Sequence, residues 1–248
     1  MKPINNTVDD LFQPKELAAD EYLNKADGLI YCSKCHTPRQ HRIELKERVF
    51  FPTVRCRCQQ EEYDKHEAER KHQEFLMQVS RLRANGLQDK SLHDYNFTND
   101  KGYNPEIQKA HDYVAHWEEM KANSLGLLLW GDVGTGKSFF AGCIANALLD
   151  KGIPVLMTNF SRILNTLTGM YSDDRNQFID SFNKYSLLII DDLGIERSSE
   201  FALEQVFNVI DSRYRSKKPL IVTTNLTLDE LKHPKDLARA RIYDRVLE

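Results

Sequence analysis

Eight residues constrain this chain more than any others: Gly131-Asp132-Val133-Gly134-Thr135-Gly136-Lys137-Ser138. They fit G-x-x-x-x-G-K-[ST], a loop whose glycines let backbone N–H groups converge on a phosphate. The apolar run Leu125–Trp130 ahead of it reads as a buried strand. Phe139 to Leu149 behind it reads as a helix, closed by Lys151-Gly152. Strand, glycine loop and helix are the setting this motif needs, because the helix amino end adds positive potential. The expected phosphate-binding set is therefore Gly131 to Ser138 with Phe139 at the start of the helix. Within it, Lys137 would reach the β- and γ-phosphates, and the Ser138 hydroxyl would ligate Mg²⁺.

The chain from Pro105 onward alternates helices and strands. A helix is expected from Pro105 to about Lys121. Further strands are expected at Pro154–Thr158, Leu187–Ile190 and Leu220–Thr224, with helices at Phe160–Met170, Arg175–Tyr185 and Glu200–Arg215. That order predicts an α/β fold, a parallel sheet sandwiched by helices, with its ligand at the carboxyl edge of the strands. The third strand runs into Asp191-Asp192, about fifty-five residues after the glycine loop. Asp191 is placed to hold the Mg²⁺ shell, and Asp192 to orient or deprotonate an attacking water. A second carboxylate argues for hydrolysis over simple binding. Asn225, at the tip of the fourth strand, could position that water, although Asn there is also a common turn former. Arg241 and Arg245 lie four apart and share a helix face.

Four of the five cysteines crowd into Cys32-x-x-Cys35 and Cys56-x-Cys58. Two close pairs of thiolates suit a tetrahedral Zn²⁺ site better than disulfides in a reducing compartment. The segment Arg42–Val54 between them alternates as a β-hairpin would, so the unit resembles a zinc ribbon. His36 and His41 are more simply solvated than ligating. Gln59 to Ala84 is charged and helix-forming, with Phe75, Leu76, Val79 and Leu82 at helical spacing. A faint helical pattern surrounds Leu11, Phe12, Leu17 and Leu23. The expected division is a cysteine-rich, helical part over 1–85, a linker over 86–104, and an α/β domain over 105–248. No apolar run approaches the length of a membrane span, and the polar N-terminus resembles no signal or transit peptide. A cytoplasmic location is therefore expected. A net charge of −3 excludes a globally basic nucleic-acid binder while permitting a local groove.

The glycine loop, the acid–acid strand end, Asn225 and the late R-x-x-x-R together resemble an AAA+ ATPase. Asp191-Asp192-Leu193-Gly194 and Arg241-Ile242-Tyr243-Asp244-Arg245 are similar to the DnaC/DnaI helicase loaders, whose module the IstB transposition ATPases share. The resemblance covers about residues 90–248. It implies ATP as cofactor, turnover stimulated by oligomerisation and DNA, and, as partners, a replicative helicase, single-stranded DNA and further copies of the chain. By motif, Asn225 corresponds to sensor 1, Arg245 to the first candidate for an arginine finger, and Arg241 to the second. Glu196 stands where such proteins often carry an acid. The 1–85 region would engage the helicase. Lys184, Tyr185, Phe160, Arg162, Arg175 and Phe178 are candidates for DNA contact, although the aromatics suit a core equally. One departure stands out: AAA+ domains continue into a fifth strand beside the glycine-loop strand, and many carry a helical lid. The sequence predicts a truncated form whose Leu125–Trp130 edge another element must cover. An IstB-like transposase helper is the alternative reading. A P-loop nucleotide kinase or a non-hydrolysing adaptor fits less well, for want of an acceptor pocket and because of Asp192.

Overall fold

The structure, a computed structural model, describes residues 17–46, 48–102, 104–194 and 199–248. The helical pattern at Leu11 and Phe12, and Glu196, lie outside the described residues. The chain forms two compact units that divide between Glu74 and Phe75.

The first unit holds two small antiparallel ribbons. β1 (Glu21–Leu23) pairs with β2 (Ile30–Cys32), and β3 (Ile43–Leu45) with β4 (Arg48–Phe50). The second ribbon is the expected hairpin. Ribbons this short bury too little to be stable alone, so the unit needs a further tie. Helix α1 (Arg57–Gly86) begins in this unit at the second cysteine pair.

The second unit is a four-stranded, all-parallel sheet. β5 (Leu127–Trp130), β6 (Val155–Asn159), β7 (Leu187–Leu193) and β8 (Leu220–Thr224) lie in the order β5-β8-β7-β6. Strand alternation sends side chains to two separate cores. Val155, Met157, Leu187, Ile189 and Ile221 face α2 (Ile107–Ala115), α3 (Trp117–Ala122) and α4 (Lys137–Asp150). Leu156, Leu188, Ile190 and Val222 face the opposite layer, built from α5 (Phe160–Thr168), α6 (Ser172–Ser181), α7 (Glu200–Arg215), α8 (Leu228–Lys232) and α9 (Leu237–Leu247). A strand buried on both faces reads as a continuous apolar run, which is why β6, β7 and β8 were legible; the edge strand β5 is only half-buried, with Trp130 exposed, although its run is equally apolar. At about 1.5–3 kcal/mol per fully buried large side chain, these two layers hold the sheet. Among the described residues no helix is long and apolar enough to cross a membrane.

Four local differences from the sequence expectations have physical causes. The helix expected over Pro105–Lys121 is two helices broken at His116, whose backbone N–H and ring Nδ1 both lie 2.9 Å from the Asp112 carbonyl. Between β6 and β7 the second helix starts earlier than expected, at Ser172, and ends at Ser181 in a 3-10 turn over Phe182–Lys184. The third strand does not stop at Ile190 but runs to Leu193 through a bulge. Finally, residues 86–102 form a built part of the second unit. Leu87 is buried and bridges to Met157, and the Asn146 amide donates to the carbonyls of Leu92 and Tyr95. Asp89 and Asn96 cap its two 3-10 turns.

Candidate nucleotide site and cysteine cluster

The glycine loop joins the end of β5 to the first turn of α4. Gly131, Gly134 and Gly136 take φ values of 138°, 84° and 83°, a region that costs any L-residue with a Cβ. The loop can therefore wrap because these three positions are glycine, and the unpaired amides of α4 open toward it. Lys137 Nζ donates to the carbonyls of Gly131 and Asp132, 2.8 Å each, so the ammonium lies over the loop. Thr135 closes it by donating to Asp132 O at 2.9 Å. Asp132 and Val133 are exposed at the tip, and Phe139, half-buried, stacks at a tilt on Tyr95.

Two strands, β7 and β8, and the first turn of α4 meet at this edge. The Ser138 hydroxyl donates to Asp191 Oδ1 at 2.9 Å, and Thr223, on β8, donates to the same oxygen at 2.6 Å. Thr223 Oγ1 also accepts the Asp192 N–H at 2.9 Å. Asp192 sits in the bulge with φ 60°, a left-handed conformation uncommon outside glycine. Thr224 secures the far side of that bulge by donating to Leu193 O at 2.7 Å. Burial, then the neighbouring Asp191, push the Asp192 carboxyl above the ordinary aspartate range, while Lys137 opposes them. A hydroxyl and a carboxylate oxygen in contact are the hard donors Mg²⁺ takes, so Ser138 and Asp191 fit that ion.

Asn225 follows Thr224 directly. Since Thr224 pairs with Trp130 in register, the exposed Asn225 stands at the same sheet edge as the loop. On α9, Arg241 is exposed. Arg245 is half-buried, with Nη1 2.9 Å from Glu248, Nε 3.4 Å from Asp211, and its guanidinium over Tyr214. Of the residues weighed for DNA, Phe160 and Tyr185 are core, and Arg175 donates to the carbonyls of Leu167 and Met170. Arg162 and Lys184 are exposed. Thr223 escaped the sequence reading. Its only signal was a hydroxyl pair, Thr223-Thr224, in a strand otherwise apolar.

In the first unit Cys32, Cys35, Cys56 and Cys58 converge, their sulfurs all within 4.8 Å of one another. Cys32 ends β2, and a turn with His36 at φ 52° carries the chain back past Cys35. The C-x-C pair works because Cys58 lies in the first turn of α1. Sulfur separations of 3.3 Å for Cys56–Cys58 and 3.6 Å for Cys32–Cys58 and Cys35–Cys58 approach the roughly 3.8 Å that tetrahedral Zn–S bonds of about 2.3 Å require. The Cys58 thiol is pushed up to about 12, first by its hydrogen bond to Cys56, then by burial and the other sulfurs. So crowded a set of sulfurs can be deprotonated together only with a cation to balance the charge, and the donor set fits zinc. No histidine joins the cluster among the described residues.

A family model described as IstB-like ATP binding protein matches residues 52–247. The chain belongs to the IstB-like ATP-binding family. It is similar to the replicative helicase loader DnaC of Escherichia coli strain K12, 28% identical over 143 residues, which covers 56% of each chain. It is also similar to the phage-like element PBSX protein XkdC of Bacillus subtilis strain 168, 30% identical over 148 residues, covering 54% of this chain and 52% of that one. The chain thus matches about half the length of these curated relatives. Among solved structures, a candidate primosome component from Streptococcus pyogenes serotype M3 superposes with a TM-score of 0.50 at 22% identity. That match covers 62% of this chain and 83% of the other, and it shows the shared fold.

Proposed function

We propose that this chain is an ATPase that helps load a replicative DNA helicase onto single-stranded DNA in the cytoplasm. One observation carries the hydrolytic part: Ser138, Asp191 and Thr223 form a single hydrogen-bonded network that also holds the Asp192 backbone N–H. In this reading the amides of Gly134 to Ser138 and the Lys137 ammonium bind the phosphates. Ser138 and Asp191 would hold Mg²⁺, which supplies charge neutralisation at the phosphates when bound. Asp192 takes the proton of the attacking water, and Asn225 orients that water. Between the two arginines, the free guanidinium of Arg241 is better placed to reach a neighbouring copy's γ-phosphate than Arg245, which is engaged within its own chain. The four cysteines would hold zinc and so stabilise the first unit, which we assign to helicase contact.

The loader role rests on the likeness to DnaC. The family match equally supports a transposase-helper ATPase, in which the same chemistry serves target-DNA selection. ATP turnover with and without single-stranded DNA, combined with capture of a replicative helicase with and without ATP, separates these readings. Lys137→Ala is expected to abolish turnover. DNA-stimulated turnover without helicase capture would move the assignment to the transposase helper, and a wild-type chain that neither binds nor hydrolyses ATP would end both.

A further inference from the structure

Arg39 occupies an unusual position beside the four cysteines. Its side chain is 8% exposed, and its guanidinium Nη2 donates to Cys32 Sγ at 3.5 Å. The same fork reaches Asp20 Oδ2 at 2.6 Å and Glu21 Oε1 at 3.0 Å. The backbone fixes it there: Arg39 N–H donates to Ile30 O, and its carbonyl accepts from Val54 N–H. The other Lys and Arg side chains next to the cysteines in sequence differ, since Lys34 is exposed, Arg55 is exposed over the Tyr63 ring, and Arg57, 69% exposed, lies at 3.9 Å from Glu61. Among the described residues Arg39 is thus the buried cation hydrogen-bonded to a cluster sulfur.

Four thiolates around one divalent ion leave two net negative charges. Cys32 and Cys56 are buried, so water screens that excess poorly. Binding zinc to thiols releases protons and builds this negative charge, and a fixed guanidinium nearby favours the charged product. Asp20 and Glu21 hold the guanidinium in place, and β1, which carries Glu21, is tied through it to the cysteine turn.

We propose that Arg39 is an outer-sphere positioning residue whose charge sets the zinc affinity of the four-cysteine site. The inference rests on the zinc reading above. Outer-sphere partners of this kind typically account for 10–100-fold in metal affinity.

The test is competition for Zn²⁺ against a chromophoric chelator, using the full chain and its Arg39→Gln and Arg39→Lys variants. Arg39→Gln is expected to weaken zinc binding about 10–100-fold. Arg39→Lys, which keeps the charge and loses the fork, is expected to lose less affinity than Arg39→Gln and to stay within about tenfold of wild type. Equal affinity for Arg39→Gln and wild type would overturn the proposal. So would equal losses in both variants, which would make the fork's shape and not its charge the cause. Should Arg39→Gln fail to fold, the lysine variant alone still decides, because a loss beyond tenfold contradicts a charge role. Co²⁺ spectra separate this from the underlying reading. A wild-type chain whose sulfur-to-cobalt absorption reports fewer than four thiolates would sink the metal site itself, whatever Arg39 does.

Discussion

The Ser138 hydroxyl and the Asp191 carboxylate meet at 2.9 Å although they lie 53 residues apart in the chain. The contact joins the first turn of α4 to the end of β7, and Thr223 completes it from the strand between β5 and β7. The parallel sheet makes the meeting possible, because every strand delivers its carboxyl end to one edge. Asp191 is held by two hydroxyls, so its orientation is set before any ligand arrives.

Thr223→Val tests this arrangement. Valine keeps the β-branched shape in a fully buried position but removes the donor to Asp191 and the acceptor for the Asp192 N–H. Leaving that N–H without a partner is expected to cost about 1–3 kcal/mol in urea unfolding. ATP turnover is expected to fall about tenfold or more while nucleotide affinity stays within a few-fold. Unchanged turnover would show that Thr223 does not position the acids.

Asp192 carries an opposite pair of expectations. Its carboxyl is raised above the ordinary aspartate value, first by burial and then by Asp191. A raised carboxyl means that the folded state binds the proton more tightly than the unfolded state. Stability linked to this group is therefore full below the unfolded value of about 3.9 and declines as pH rises through the folded value. Asp192→Asn removes that penalty. It is expected to raise the melting temperature at neutral pH and to give no gain near pH 3. Turnover is expected to drop about 10²–10⁴-fold, the usual worth of a positioned base. A variant that melts lower than wild type at pH 7 would contradict the linkage.

The sheet was legible because buried parallel strands are short apolar runs punctuated by turns, and the glycine loop because its spacing is rigidly tied to backbone conformation. Asp191 and Asp192 were placed at the right edge on the same grounds. The bulge was not legible, since neither Asp192 nor Gly194 announces an extra residue that forms only when β7 pairs with β8. Thr223 was missed because a threonine in a strand ordinarily signals β-propensity and nothing more. The stretch at 86–104 misled because caps and linkers draw on the same Asn, Asp and Ser. Only the partners Asn146 and Met157, far along the chain, decide between them.

Arg213 illustrates a residue whose role sequence could not suggest. It is fully buried, with Nη1 donating to Tyr185 O at 2.9 Å and Nη2 to Ser186 O at 2.8 Å. Nε and Nη2 also donate to Pro219 O at 3.1 and 2.7 Å. It ties the starts of β7 and β8 together with no carboxylate partner among the described residues. Burial lowers its pKa to about 10, which leaves it charged at neutral pH. Arg213→Met is expected to cost about 3 kcal/mol or more, because several buried carbonyls lose their donors. Arg213→Lys is expected to recover only part of that. A urea midpoint within 1 kcal/mol of wild type for the methionine variant, on the scale of one ordinary hydrogen bond, would contradict this account.

The two arginines of α9 give the sharpest contrast. Arg245 packs on Tyr214 and faces both Asp211 and Glu248, so its removal is felt inside the chain. Arg245→Ala is expected to lose about 1 kcal/mol of stability, the combined scale of a partly exposed ion pair and a cation–π contact. Arg241 is exposed one turn earlier. Arg241→Ala is expected to leave stability unchanged within about 0.5 kcal/mol, and to leave ATP binding intact. If Arg241 completes a neighbouring copy's site, turnover in the assembled state should drop on the order of 10³-fold. Mixing Arg241→Ala with Lys137→Ala protein then decides the matter. Each variant supplies what the other lacks, so turnover is expected to return only in the mixture. Two inactive variants that stay inactive together would place Arg241 outside any shared site.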